Sequence, residues 1–185
     1  MSTVHSQHQN TWRGTAIIAW RVIKMLVAPP SLEGLSFATS GSTTVGQISC
    51  DLDAPPDQVW AAVWSSSHLQ PPYASFDDIR EGEIFTMYSD MTEGRGLFWT
   101  KNVARCEAIT PGRRFYLRLI SQDGDESERM ADLLSEYVVE PLARGTRLTI
   151  RVADEQGAHQ VMFKRLMTTA LNWNMARIRA DLQFS

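Results

Sequence analysis

The residues best able to do chemistry are few. A run of serines meets a histidine at Ser65-Ser66-Ser67-His68. Acyl transfer would need a hydroxyl nucleophile, an imidazole base, an acid to orient that base and a strained turn to present the hydroxyl. The run follows a helical stretch, lacks the Gly-x-Ser-x-Gly frame and has no evident orienting acid, so local turn chemistry accounts for it. His5 and His8, three apart, could clip a metal, but no third ligand is near and a solvated tail is the simpler reading. His159 opens the last helical pattern, where a surface histidine is unremarkable. Asp90 and Glu93 flank a turn and could form a general-acid pair, although a solvated loop explains them as well. Gly94-Arg95-Gly96 leads into no helix start, so it makes no phosphate cradle. Cys50 and Cys106 lie in strand-like stretches and read as small buried residues of a reducing compartment, neither a disulfide framework nor a zinc site. No metal, cofactor or familiar catalytic set is expected.

Composition excludes further classes. The 185 residues suit one domain with an added segment and are enough for a real core. A formal net charge of -3 offers nothing to a nucleic acid. The chain is 43% apolar and carries six tryptophans, which must find large apolar surfaces to bury against. Those properties predict a soluble, cytoplasmic protein or one lying peripherally on a membrane.

The elements that would position such residues begin at the far end. Residues 158–184 contain neither Gly nor Pro, and Phe163, Leu166, Met167, Ala170, Leu171, Ile178 and Leu182 recur at helical spacing. Gly157 precedes them as a breaker, and Lys164, Arg165, Arg177 and Arg179 are read as solvated faces. Ile48, Cys50 and Leu52 alternate as in a half-buried strand, and residues 57–64 form a short helix after Pro55-Pro56. Strand-like runs over 84–90, 97–109, 115–122, 134–140 and 146–153 are separated by turn signals such as Pro111-Gly112 and Arg144-Gly145. Residues 31–44 are a Ser/Thr/Gly-rich connector. Residues 11–28 form a helix ended by Pro29-Pro30, too short and too charged to span a bilayer. It packs on the domain or a second copy of it, or lies at a membrane interface with Trp12 and Trp20 at the headgroups.

Three stretches carry a family resemblance. Residues 48–60, Ile-Ser-Cys-Asp-Leu-Asp-Ala-Pro-Pro-Asp-Gln-Val-Trp, resemble the opening strand and helix start of the START-like (SRPBCC) superfamily. Residues 106–115 resemble its central hairpin, and Val139-Glu140-Pro141 with Gly145-Thr146 resembles the hairpin before its last strand. The superfamily includes polyketide cyclases and lipid-transfer proteins. The resemblance implies an α+β fold, a curved seven-stranded antiparallel sheet gripping a long C-terminal helix, here with an extra N-terminal helix. It divides the chain into residues 1–43, a tail, helix and linker, and residues 44–185, the helix-grip domain.

Such a fold encloses an apolar pocket. With Cys106 and Phe115 facing inward, parity turns Phe98, Thr100, Asn102, Ala104, Leu117 and Leu119 inward, along with Tyr137, Val139, Leu148, Ile150 and Val152. A bulge would invert this locally. The polar groups inside are then Thr100, Asn102, Tyr137, Tyr88 and Asn174, the last on the helix's apolar stripe. Phe98, Leu117, Phe163, Ala170 and Trp173 complete the expected ligand-binding walls. The function implied is binding or transport of a hydrophobic small molecule, lipid or polyketide-like. One alternative is a cyclase- or dehydratase-type enzyme in the same cavity, without metal or nucleotide, with Tyr137 as proton donor and Asn102 or Asn174 holding an enolate oxygen. Another is a membrane-docking or homodimer-forming protein that uses residues 11–28.

Overall fold

The computed structural model describes residues 33–90, 99–122, 133–157 and 160–183. The readings placed on His5, His8, the 11–28 helix, Glu93, Gly94-Arg95-Gly96, Phe98 and His159 lie outside those residues. Eight strands form one antiparallel sheet: β1 (Leu35–Ser40), β2 (Thr43–Leu52), β3 (Ser67–Leu69), β4 (Ile84–Asp90), β5 (Trp99–Thr110), β6 (Arg114–Gln122), β7 (Leu133–Pro141) and β8 (Thr146–Asp154). Their order is β1-β2-β8-β7-β6-β5-β4-β3. Two α-helices, α1 (Pro56–Trp64) and α2 (Gln160–Gln183), accompany the sheet. This is the expected helix grip, with β2 to β8 as its seven strands and β1 as an eighth.

The eighth strand corrects the reading of residues 31–44 as a plain connector. Leu35 to Ser40 pair with Ile48 to Thr43 through the two residues Gly41-Ser42. Two-residue hairpins favour a residue of positive φ, and Gly41 has a φ of 59°. Residues from Leu35 onward therefore belong to the sheet. β3 is a second unforeseen strand. It takes Ser67-His68-Leu69 out of the supposed turn and pairs them with Ser89-Tyr88-Met87.

β2 shows the alternation that its sequence requires: Thr44, Gly46, Ile48, Cys50 and Leu52 are buried while their neighbours are not. Pro56 sits at the start of α1, where its missing N–H costs nothing, and Val59, Trp60, Ala62 and Val63 are buried. In α2 the buried stripe runs Phe163, Met167, Leu171, Met175 and Ile178. The helix crosses β2 at Gly46, where an added Cβ would meet the Phe37 ring at 2.8 Å and Leu171 at 3.4 Å. A side chain here would crowd the Phe37 ring, while Leu171 of α2 lies at ordinary contact distance.

α2 lies on β2, with β1 and β8 beside it, and on α1. Its grip on α1 is electrostatic as well as apolar. The Arg177 guanidinium donates to the α1 carbonyls of Ala62 and Val63, each at 3.0 Å, and to Ser65 Oγ and Asp181 Oδ2. These carbonyls belong to the last turn of α1, where the helix itself supplies few donors; Ala62 O accepts also from the Ser65 N–H at 3.5 Å and from Ser65 Oγ at 3.0 Å. Arg177 is thus a clamp and not the solvated residue that the helical pattern suggested. Arg179 departs from that pattern too, directing Nε and Nη2 at Cys50 Sγ at 3.2 and 2.7 Å. No helix among the described residues is long and apolar enough to cross a membrane.

Candidate ligand-binding site between the sheet and the C-terminal helix

α2 leans toward the β1-β2-β8 side, and the inner face of β4 to β7 meets α1 through Trp64, which packs on Phe115 and Tyr137. Register decides what lines it. Ala104 and Cys106, both fully buried, pair with Leu119 and Leu117. Across β4 the same face carries Phe85 and Met87, partners of Ala104 and Asn102. Across β7 it carries Tyr137, the partner of Phe115, and Ser135, the partner of Leu117. Thr100, Asn102, Phe115 and Leu117 are buried on this face, whereas Met87, Leu119, Ser135 and Tyr137 keep partial exposure.

Two register shifts in β5, at Val103/Ala104 and Cys106/Ala108, bend this wall. The second leaves Glu107 unpaired and turns Ile109 inward beside Phe115, a local inversion that strict alternation would miss. On the inner face of this wall, Trp64 and Phe76 pack against Phe85 and Phe115 in an aromatic cluster. Trp64 stacks on Phe76 at 4.0 Å and meets Phe115 edge-on at 5.3 Å.

The predicted residues divide clearly. Thr100, Asn102, Leu117 and Tyr137 share the inner face, and Phe163 and Ala170 on α2 pack toward the core. Tyr88 does not belong with them. It pairs with Lys101 and with His68, and so lies on the outer face, one residue out of phase with Met87. Trp173 comes two residues after Leu171, about 200° round the helix, and leaves the buried stripe. Asn174 is half-buried and lies one turn before Arg177 on the same side of α2.

The polar groups differ in what holds them. Asn102 Nδ2 donates to Ser89 Oγ and to the Thr100 carbonyl, both at 3.3 Å, and Ser89 Oγ is 3.3 Å from Ser67 Oγ. That amide is fastened by its own strands. Ser65 is fastened too, donating to the Ala62 carbonyl and to Asp181 while accepting from Arg177. The Ser65–His68 run is therefore a structural joint. Tyr137 is different. Its ring lies 4.9 Å from Trp64, and no protein group among the described residues hydrogen-bonds its hydroxyl. Burial pushes the phenol pKa up, with the nearby Arg177 charge opposing, so the hydroxyl keeps its proton.

Two hollows lie outside this face. One, of about 470 Å³ beside α1, is lined by Trp60, Trp64, His68, Tyr73 and Phe76 among others. The other, of about 490 Å³, lies where β1 starts and includes Cys50, Arg147 and Arg179. Trp64 borders the first hollow on one side and touches Tyr137 and Phe115 on the other. Sequence reasoning passed over Trp64 and Arg177 as site residues. The only signal for the latter was its four-residue spacing to Asp181, which suits a helix ion pair.

The comparisons agree with the fold. A family model described as Activator of Hsp90 ATPase homolog 1-like protein matches residues 53–180. The chain belongs to that family. It is thereby a member of the SRPBCC helix-grip superfamily that the sequence resembles. Among solved structures, a protein from Rhodobacter sphaeroides superposes with a TM-score of 0.57 at 15% identity, over 83% of this chain and 100% of that one. One from Arthrobacter aurescens gives 0.55 at 15% identity, over 81% and 92%. A Polyketide_cyc-like protein from Corynebacterium glutamicum gives 0.51 at 18% identity, over 79% and 94%. At such identities these likenesses establish the fold alone. Among curated proteins none matches this sequence.

Proposed function

We propose that this family member binds a hydrophobic small molecule between the inner face of β4–β7 and α2, as a carrier or receptor for it. The observation that carries the reading is the half-open state of Met87, Leu119 and Tyr137 on a face that also carries the buried Thr100, Asn102, Phe115 and Leu117. Apolar side chains held partly exposed inside a fold are what an apolar ligand covers, at about 25 cal/mol per Å² removed from water. The family assignment supports the same reading.

Native mass spectrometry of protein purified without detergent, followed by extraction, tests it directly. A co-purifying apolar molecule, or saturable binding of an apolar fluorophore by the stripped protein, is the expected result. Leu119→Trp should fill the space and weaken that binding at least tenfold while the protein still folds. Undiminished binding to the filled variant would place the ligand elsewhere and refute the site.

A further inference from the structure

We infer that the ligand of this cavity is an apolar molecule bearing a carbonyl or carboxylate oxygen, and that this oxygen accepts a hydrogen bond from Tyr137 Oη. The inference rests on the cavity reading above and adds the chemistry of one end of it. The inner face carries few polar side chains, and most of them are already engaged. Asn102 donates to Ser89 and Thr100, and Ser89 lies against Ser67. Tyr137 stands apart from that chain. Its ring is held by the β6–β7 pairing with Phe115 and by contact with Trp64, and no hydrogen bond joins its hydroxyl to another described residue. The side chain keeps partial exposure, so the hydroxyl is a donor that a ligand can reach.

The surroundings say which kind of partner is missing. Trp64 Nε1, a donor with no accepting capacity, is also buried without a partner. The Arg177 guanidinium, anchored on the α1 carbonyls and paired with Asp181, adds positive charge near Tyr137. This end of the cavity therefore holds more donors than acceptors. Trp64 Nε1 is enclosed, which leaves the Tyr137 hydroxyl as the donor in reach of a ligand. An oxygen with negative character meets both the donor and the nearby charge, whereas a hydroxyl-free hydrocarbon would leave the phenol unpaired.

The test uses three probes of one shape: 2-ethylnaphthalene, 2-acetylnaphthalene and 2-naphthoate, titrated by fluorescence into the stripped full chain. The wild type should bind the ketone or the carboxylate about fivefold more tightly than the hydrocarbon, the worth of one hydrogen bond. Which of the two oxygen probes leads identifies a neutral or a charged head. Tyr137→Phe should abolish the preference. Because no described residue hydrogen-bonds the lost hydroxyl, the variant should fold, and near-ultraviolet circular dichroism checks that. Should it not fold, the wild-type ranking alone decides. Equal affinities in the wild type, or a preference that survives in Tyr137→Phe, would overturn the inference and leave the cavity reading standing. Failure of all three probes to bind would remove both.

Discussion

Replacing Arg177 by Met removes the clamp between α1 and α2 while keeping most of the side chain's apolar length. The guanidinium makes four contacts: the Ala62 and Val63 carbonyls at 3.0 Å each, Ser65 Oγ at 2.6 Å and Asp181 Oδ2 at 3.0 Å. Its side chain is only 11% exposed, so solvent replaces these contacts poorly. Hydrogen bonds to a charged group contribute about 1.5–3 kcal/mol each when isolated. The freed carbonyls at the helix end regain some water, and burying a guanidinium itself costs energy, which Met avoids. The net loss should be about 3 kcal/mol. For a chain of this length that lowers Tm by about 6–12 °C, at about 2–4 °C per kcal/mol. Asp181→Asn should cost far less, about 1 kcal/mol, because that carboxylate is 38% exposed and the carbonyl contacts persist. Urea unfolding of both variants measures the difference. An Arg177→Met midpoint within about 0.5 kcal/mol of wild type would refute the reasoning. So would equal losses in the two variants, since the energy would then lie in the ion pair and not in the capped carbonyls.

Two further outcomes follow from the sheet. Cys106 is fully buried, and burial, with the Glu81, Glu107 and Glu83 carboxylates nearby, pushes its thiol up to about 11. Iodoacetamide at pH 8 should leave Cys106 unmodified in the folded protein and label it in urea, and mass mapping of native-state alkylation at Cys106 would contradict this. On the outer face, Arg105 at 2.7 Å and Arg118 at 3.2 Å hold the Glu107 carboxyl below its usual range. A depressed carboxylate contributes stability that is full above the unfolded value of about 4.3 and lost as pH falls through the folded one. Glu107→Gln should therefore lower stability at pH 7 by about 0.5–1 kcal/mol and flatten the decline below pH 4, and parallel pH profiles for the two proteins would exclude it.

How much of this was legible in the chain depends on what each pattern encodes. β2, α1 and α2 show in the sequence because Ile48-Cys50-Leu52 and Phe163-Met167-Leu171 repeat at the periods of a strand and a helix. β1 did not, since only Leu35 and Phe37 alternate within a Ser/Thr-rich stretch and its evidence is a pairing partner. Tyr88 was taken as an inner residue, but the face it occupies is set by the pairing of Met87 with Asn102, a long-range fact. Arg177 and Arg179 read as solvent-facing because periodicity records that a residue is charged and not what stands opposite it. Tyr137 was legible as inward by parity from Phe115; that its hydroxyl lacks a partner depends on where α1 places Trp64.

The lean of α2 toward β1, β2 and β8 divides evolutionary labour within the molecule. The contacts that hold the fold together gather on one flank, around Gly46, Leu171 and the end of α1. The walls that would meet a ligand belong to the other flank, β4 to β7. Substitutions that retune the walls, such as exchanges at Met87 or Leu119, leave the helix–sheet seam untouched. Ligand preference can then diverge between relatives while the scaffold's melting behaviour stays nearly constant. The fold itself recurs in solved structures at 15–18% identity to this chain.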